Sequence, residues 1–599
     1  MEEQCLVHQY LQLYTTADKF YLKPATLCCI SSEVLTIDRV SGEATVQDLD
    51  LIKLLGDKTD YRLIFGLLGS IKLVSGCYLV IVTDRLLLSK INGHTIFQVT
   101  NTEIIPYARS TTHLTNQQME DNKKYERMIQ LMLEQPGLYF SCSYDLTQTV
   151  HKLHSVAPAF YKKPLTSRAD TRFLWNRHLL KEFTDERFGH FTLPLIQGFV
   201  SINHVTVNGH KVVWSLVSRR SADRAGPKLF MRGIDDQGNA ANHVITEQII
   251  EYNDKISSFL LTRGSVPLPW TQYPDLTLLP AMKIAKGDHV TTFMKHLKDQ
   301  QLRYGDVVCV NLINQHGQEG ALEAEFRAAA TKADLRGVKY CHFDFHAQCS
   351  FTQYDRLNIL LDNIDKELKE FSYFFSEDGT VVQRQSGTFR VNCLDSLDRT
   401  NVVQSILANV QLKNTLKQMT VVTTDDEQLE EFEKVVNNTW ADHADMIAIQ
   451  YSGTGALKTE FTRTGKRTYM GVASDVINAF VRYYINNFSD GFKQDAFDVF
   501  LGNYVVPDSK SNKHPISLSE CYSWKQVTLP TTLLAAVCMF FASIFLSDSF
   551  GTEMLLYLMF WGTIAVTTLR YIFKNGKEFV DWPILCAGEP TLSCKPKSL

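Results

Sequence analysis

The sequence predicts an α+β / α/β chain in three parts. A β-rich N-terminal subdomain (1–182) precedes an α/β unit (183–505), and a polar linker (506–526) leads to a two-helix transmembrane hairpin. Three observations predict this order. Short β-favouring runs crowd the first part, strand and helix periods mix in the second, and two long apolar runs stand near the end. With 599 residues the chain is too long for one compact core, so more than one packed unit is expected.

In the first part, "CYLVIVTD", "RLLLSKI" and "HTIFQVT" read as strands, with "NG" at 92–93 as a turn. The run "LIFGLLGSIKLVSGCYLVIV" has the apolarity of a span, but Lys72 and three glycines interrupt it, so stacked strands are expected. A helix follows over "NKKYERMIQLMLEQPG", with Met128, Leu131 and Leu133 toward the core and Gly137 as its stop. In the second part, "HKVVWSLVS", "DVVCVNLIN" and "GTFRVN" read as strands. Helices are expected after 400 and over 427–450.

The linker "PDSKSNKHPISLSECYSWKQV" is polar and holds two prolines. Residues 527–546 then carry no charge, and about 20 helical residues cover a hydrocarbon core of about 30 Å. A seven-residue loop (547–553) separates them from a second run, 554–573, whose one charge, Arg570, sits where it can snorkel. Two buried core helices are the competing reading. Lys525, Lys574 and Lys577 flank the hairpin, while its loop holds only Asp548 and Glu553, which places the loop in the lumen and both termini in the cytosol. The tail (574–599) ends in "CKPKSL". Lys595 and Lys597 there resemble the dilysine retrieval signal read by coatomer.

Composition narrows the function classes. Apolar content of 45% and charged content of 21% describe a folded protein, and a net charge of -4 gives no reason to expect a nucleic-acid partner. The thirteen cysteines show no disulfide framework, and the acidic N-terminus "MEEQCLVHQY" lacks an h-region, so a reduced, cytosolic setting is expected. No CxxC pair or HExxH occurs, so a standard zinc site is not expected. "TGKRT" at 464–468 imitates the end of a nucleotide loop, but Glu460 stands where its first glycine belongs. "CHFDFH" sets His342, Asp344 and His346 on one strand face, more in keeping with packing or cleft lining than with a metal site.

The chemistry concentrates in "RVNCLDSLDRTN" (390–401). About half a Cys-x5-Arg match is expected by accident among thirteen cysteines, so the surroundings must carry the argument. A strand before Cys393 and helical spacing of Val403, Ile406, Leu407 and Val410 after Arg399 make a strand–loop–helix. Such a loop aims backbone N–H groups and a helix N-terminus at one point, which favours a phosphate and a thiolate. Cys393 is thus the candidate nucleophile, and Arg399 the fork for two phosphate oxygens. The Thr400 hydroxyl is placed to hydrogen-bond the thiolate. Asp395 is the preferred general acid, with Asp398 as its competitor or as a residue orienting Arg399, and Asp344 as an outside candidate. Capping of the loop is the competing role for both aspartates. The loop residues Leu394, Ser396 and Leu397 would surround the phosphate.

The motif resembles the signature of the suppressor-of-actin (Sac) domain phosphoinositide phosphatases. Further stretches are similar to that family: "PLIQGFVS" (194–201), "SRRSADRAG" (218–226), "RGIDDQGNAAN" (232–242), "TRGSVPLPW" (262–270) and "YSGTGALKTEFTRTGKR" (451–467). With its hairpin and terminal lysines the chain resembles the membrane-anchored members of the endoplasmic reticulum and Golgi. The resemblance implies hydrolysis of phosphatidylinositol 4-phosphate, and of the 3-phosphate, to phosphatidylinositol, without a metal. One departure stands out: Ser396 occupies a loop position where the family commonly has a second cysteine.

Two basic clusters suit an inositol phosphate or an anionic bilayer. One holds Arg219, Arg220, Arg224, Lys228 and Arg232, the other Lys458, Arg463, Lys466 and Arg467. Of these, Arg219, Arg220, Lys458, Lys466 and Arg467 are the candidate substrate-binding residues. Solvated loops are the plainer reading. Two rival functions remain: a membrane tether that holds phosphoinositide without turnover, and a phosphotyrosine phosphatase.

Overall fold

The computed structural model describes residues 6–25, 33–55, 60–349, 356–422, 429–457, 459–464, 468–507, 518, 523–545 and 551–585. The expected mixture of strands and helices is present. A five-stranded antiparallel sheet (Leu11–Thr15, Lys19–Pro24, Glu33–Asp38, Ala44–Asp48, Arg62–Ile64) opens the chain. Beside it a 13-stranded sheet extends from Gly66–Leu73 into the heart of the second part.

The apolar run at 63–82 does form strands. Gly66–Leu73 pairs antiparallel with Gly76–Ile91, where "CYLVIVTD" and "RLLLSKI" join into one long strand broken by bulges at Val82–Arg85 and Leu87–Ser89. The "NG" turn then folds the chain back, with φ 49° at Asn92 and 80° at Gly93, the pair of positive angles that a tight hairpin needs. The expected helix starts earlier than predicted, at Asn116, because Thr115 and Gln118 form a capping box. Its core face is Tyr125, Met128, Ile129, Met132 and Leu133, with Leu131 only partly covered.

The predicted division at 182/183 falls within a single sheet. Leu138–Phe140 pairs with Ile196–Val207, which continues through His210–Arg220 and Val244–Tyr252 to β1 (Lys255–Arg263). From there the pairing turns parallel. The order is β1, β4 (Gly387–Asn392), β2 (Asp306–Asn311) and β3 (Val338–His342). Parallel strands are buried on both faces, and β4 accordingly has every residue buried. Helices α1 (Asp398–Gln418) and α2 (Leu429–Ser452) pack against this part through Leu407, Leu412, Val436 and Trp440.

Helices α3 (Tyr469–Phe488) and α4 (Asp490–Leu501) complete the second part. Two long apolar helices follow, α5 (Trp524–Phe545) and α6 (Thr552–Lys574), which pack on each other with Gly562 against Phe540. Only 6% and 11% of their apolar windows are buried within the protein, so the reading as ordinary core helices does not fit them. Their length and composition are compatible with a membrane hairpin.

The chain behind α6 folds back onto the second part. Ile584 and Leu585 donate their N–H groups to Asp495 on α4, both at 2.8 Å, and Phe492 N–H donates to Asp581 at 2.9 Å. Trp582 packs its ring near Phe230 and Tyr273, with centroids 5.8 and 5.6 Å away. Most of the linker lies outside the described residues, but Leu518 is buried and exchanges hydrogen bonds with Asp121 and Lys124.

Candidate active site

Strand β4 runs between β1 and β2 and releases Cys393 at the carboxyl edge of the parallel strands, where ligands of open α/β sheets bind. Residues 394–397 make the loop, and α1 begins at Asp398. Beneath the loop lies a polar floor. Asn392 donates to Asn311 at 2.7 Å, and Arg390 donates to Asn392 at 3.1 Å and to the Ser265 carbonyl at 2.6 Å. On the far side His443 links Ser218 to Asn401, both at 2.8 Å, and so ties α2 to the first turn of α1.

Cys393 is buried, 3% exposed. Thr400 and Ser396 are wholly buried, and neither hydroxyl has a hydrogen-bond partner among the described residues. Ser396 also has φ 51°, a left-handed conformation that sharpens the loop. Leu397 packs against Val244 and Tyr451, while Leu394 is half-buried and offers its carbonyl to Arg232 at 3.4 Å.

The two aspartates differ sharply. Asp395 lies between two cations, 2.8 Å from Lys228 Nζ and 2.7 Å from Arg232. Burial alone would raise its carboxyl, but these two charges outweigh it and hold the group well below the usual carboxylate range. A carboxylate so held carries no proton to give, and this corrects the preference for Asp395 as general acid. Asp398 takes the opposite setting. Burial raises its carboxyl, against the lowering effect of Arg482 and of the Leu457 N–H, which it accepts at 2.8 Å.

Arg399 stands in the first turn of α1, near Cys393, but its fork is engaged. Its fork meets both carboxylate oxygens of Glu319, at 3.0 and 3.2 Å, and reaches the Leu312 carbonyl at 3.0 Å and Asn314 at 3.3 Å. The donors meant for phosphate are thus taken by a carboxylate of similar shape.

Arg219 and Arg220 need a fuller correction, since neither has any exposed surface. Arg219 pairs with Glu247 at 2.9 Å beside a cavity of about 220 Å³, away from Cys393. Arg220 donates to Gln197 at 3.0 Å and to the Gly226 carbonyl at 3.1 Å, and lies over Trp175 and Phe497. Both hold the core together. From the same sequence cluster, Lys228 and Arg232 are the ones that reach the loop.

Sequence reasoning passed over two further groups. Arg263, fully buried at the end of β1, grips the Ser396 carbonyl through Nε at 3.2 Å and the Leu397 carbonyl at 3.2 Å. Burial lowers its guanidinium to about 10, opposed by the nearby Cys393 and Asp398. Glu319 is the other. The quoted stretch "TRGSVPLPW" contained Arg263, but nothing local announced Glu319.

Among the described residues no three acidic, histidine or cysteine side chains gather as a metal site. His342 meets the Ile313 carbonyl at 2.9 Å and His346 meets Asn314 at 2.9 Å. Asp344 caps the short helix Phe345–Gln348, so it is not poised as a general acid. Lys458, Lys466, Arg467, Lys595 and Lys597 lie outside the described residues.

Known proteins resemble this chain over most of its length. Residues 65–350 match the SacI homology domain. The chain is 43% identical over 584 residues to a Danio rerio protein named phosphatidylinositol-3-phosphatase SAC1-B, covering 96% of this chain and 98% of that one. It is 40% identical to the Drosophila melanogaster phosphatidylinositol-3-phosphatase SAC1, over 97% of this chain and 98% of that one. Against the Saccharomyces cerevisiae protein of the same name it is 35% identical, over 87% and 85%. The chain therefore belongs to the SAC1 family of phosphoinositide phosphatases.

Proposed function

We propose that this enzyme removes the phosphate from phosphatidylinositol 4-phosphate, and from the 3-phosphate, through a phospho-cysteine intermediate on Cys393. The observation that carries the mechanism is Cys393 at the tip of β4, at the carboxyl edge of the parallel strands, within the electrostatic reach of Arg399 and Arg263.

The headgroup phosphate draws Arg399 away from Glu319 and takes two of its N–H donors, while Lys228 and Arg232 beside Asp395 add positive charge. The Cys393 thiolate attacks phosphorus, and the bond to the inositol oxygen breaks. That leaving oxygen needs a proton, and Asp398, with its raised carboxyl, supplies it. Water then attacks the phospho-cysteine and gives its proton to Asp398. The S–P bond breaks, returning the thiolate and inorganic phosphate.

In this reading α5 and α6 anchor the enzyme in endoplasmic reticulum and Golgi membranes with both termini cytosolic, and the tail lysines engage coatomer. The relatives named above are called 3-phosphatases, which supports a monophosphate substrate. The deciding experiment is phosphate release by the full-length protein from short-chain phosphatidylinositol 4-phosphate in the presence of EDTA. Release is expected to persist for the wild type and to vanish for Cys393→Ser. Lipid binding by a folded wild type with no release would transfer the reading to a non-catalytic tether.

A further inference from the structure

Helix α3 turns an apolar stripe outward. Tyr469, Val476, Ile477, Phe480 and Tyr484 recur at helical spacing on one face, with exposures of 96% at Tyr469, 69% at Phe480 and 62% at both Ile477 and Tyr484. Single exposed apolar residues are ordinary, but a continuous stripe marks a surface that something covers. The opposite face is inward. Arg482, two residues from Phe480 and thus about 200° around the helix, is buried and donates to Thr454 at 3.0 Å and to the Gly455 carbonyl at 2.8 Å. Asp475 and Arg482 are the only acidic or basic residues in the helix. A solvated face of this length would carry more charge.

The stripe is joined to the apolar hairpin. Tyr483 donates to the Leu276 carbonyl at 2.7 Å, and Leu276 N–H donates to Asn487 at 3.2 Å. Leu276 itself packs against Ile572 of α6 and against Val580 behind it. Two residues further on, Leu278 and Leu279 stand 81% and 68% exposed. From α3 through this loop to the end of α6, packing is therefore continuous, with exposed apolar side chains on α3 and at Leu278 and Leu279 on either side of it.

We propose that α3 lies flat in the headgroup–acyl boundary of the bilayer that holds α5 and α6, with Leu278 and Leu279 as a second wedge. This rests on the reading of α5 and α6 as a membrane hairpin. A bilayer is the occupant that the continuity favours, because a helix bound to the foot of two spans has lipid as its neighbour. With so little charge on the helix, its attachment would rest on the buried apolar area of the stripe rather than on attraction to anionic lipid. The inner face of α3 reaches the catalytic loop. Arg482 holds the 454–455 turn, and Leu457 just beyond it holds Asp398. Immersion of α3 therefore sets the height of the catalytic loop over the headgroups.

The test uses the full-length protein in phosphatidylcholine nanodiscs containing phosphatidylinositol 4-phosphate. A benzophenone amino acid is placed in turn at Phe480, at Leu278, at Phe560 in α6, and at Val40 on the N-terminal sheet. After illumination, lipid adducts are expected at Phe480, Leu278 and Phe560. Adducts at Phe560 but not at Phe480 overturn the α3 proposal and leave the hairpin standing, whereas adducts at neither position remove the hairpin as well. Protein–protein adducts at Phe480 would assign the stripe to a second copy instead. Independently, Ile477→Asp with Phe480→Asp is expected to cut turnover of bilayer-embedded substrate at least tenfold more than turnover of the short-chain soluble lipid. An equal fall on both substrates would mean damage to the fold, and would sink the proposal.

Discussion

Asp395 and Asp398 stand three residues apart with carboxyls shifted in opposite directions, Asp395 down between Lys228 and Arg232 and Asp398 up through burial, and that contrast favours Asp398 as the proton donor. A raised folded carboxyl keeps its proton to higher pH and loses it as pH rises through the shifted value. If Asp398 protonates the inositol oxygen, kcat should be sustained below that value and fall above it. Asp398→Asn should lower kcat on the lipid by about 10²- to 10³-fold and erase this alkaline limb. An umbelliferyl phosphate, whose leaving group needs no proton, should lose far less. Equal losses on both substrates would return Asp398 to a structural role. A second prediction concerns Glu319, which holds the Arg399 fork. Glu319→Gln weakens that competition, so KM for the short-chain lipid should fall by roughly 3- to 10-fold, since replacing a charge-assisted pair by a neutral hydrogen bond gives up about 1 kcal/mol. A higher KM would show instead that Glu319 positions Arg399 for the substrate.

At the scale of elements, the return segment behind α6 is the least expected feature. Asp495 is pushed up to about 7 by burial as the largest effect, opposed by the Ile584 and Leu585 N–H groups. A folded value above the unfolded one means that its contribution to stability is complete below about pH 4 and is lost as pH rises through 7. Asp495→Asn should flatten that loss, by on the order of 2 kcal/mol between pH 4 and pH 7, read as a Tm less sensitive to pH in detergent micelles. Trp582 touches Phe230, which lies between Lys228 and Arg232, so Trp582→Ala should lower Tm and also cut kcat/KM about fivefold. Loss of Tm with unchanged kcat/KM would limit the segment to a structural role. The strand, loop and helix around Cys393 were legible beforehand, because alternation gave way to helical spacing within ten residues. The choice among arginines was not. Partners of Arg219 and Arg220 lie as far as 73 and 230 residues away in sequence, at Leu146 and Gln450, and adjacency along the chain says nothing of such contacts. Glu319 was invisible for the same reason, 80 residues before the arginine that it holds.

For the whole molecule, net charge was silent about the site, since the cations that matter are a handful paired locally with carboxylates. The two long apolar helices were plain, because length and missing charge are read without tertiary context. What composition could not reveal is how firmly the catalytic part is held to it. A free linker of about 20 residues would allow an end-to-end distance of roughly 25 Å and some reach toward another membrane. Two attachments oppose that freedom. Leu518 is held by Asp121 and Lys124, and the segment 576–585 is bound to α4 and to the loop at Leu276. At the membrane end Lys525 pairs with Glu578 at 3.5 Å, joining the start of α5 to the chain behind α6. If α5 and α6 span a bilayer, a catalytic part fastened this way is expected to turn over lipid in that same bilayer. With the enzyme in one vesicle population and phosphatidylinositol 4-phosphate in another, without a tether, phosphate release should stay below about a tenth of that seen when both share a membrane, following the local concentration advantage of a linked site. Leu585→Asp with Trp582→Ala should undock the segment and narrow the difference. Equal release from both vesicle arrangements by the wild type would mean that these contacts open readily and that the enzyme reaches across.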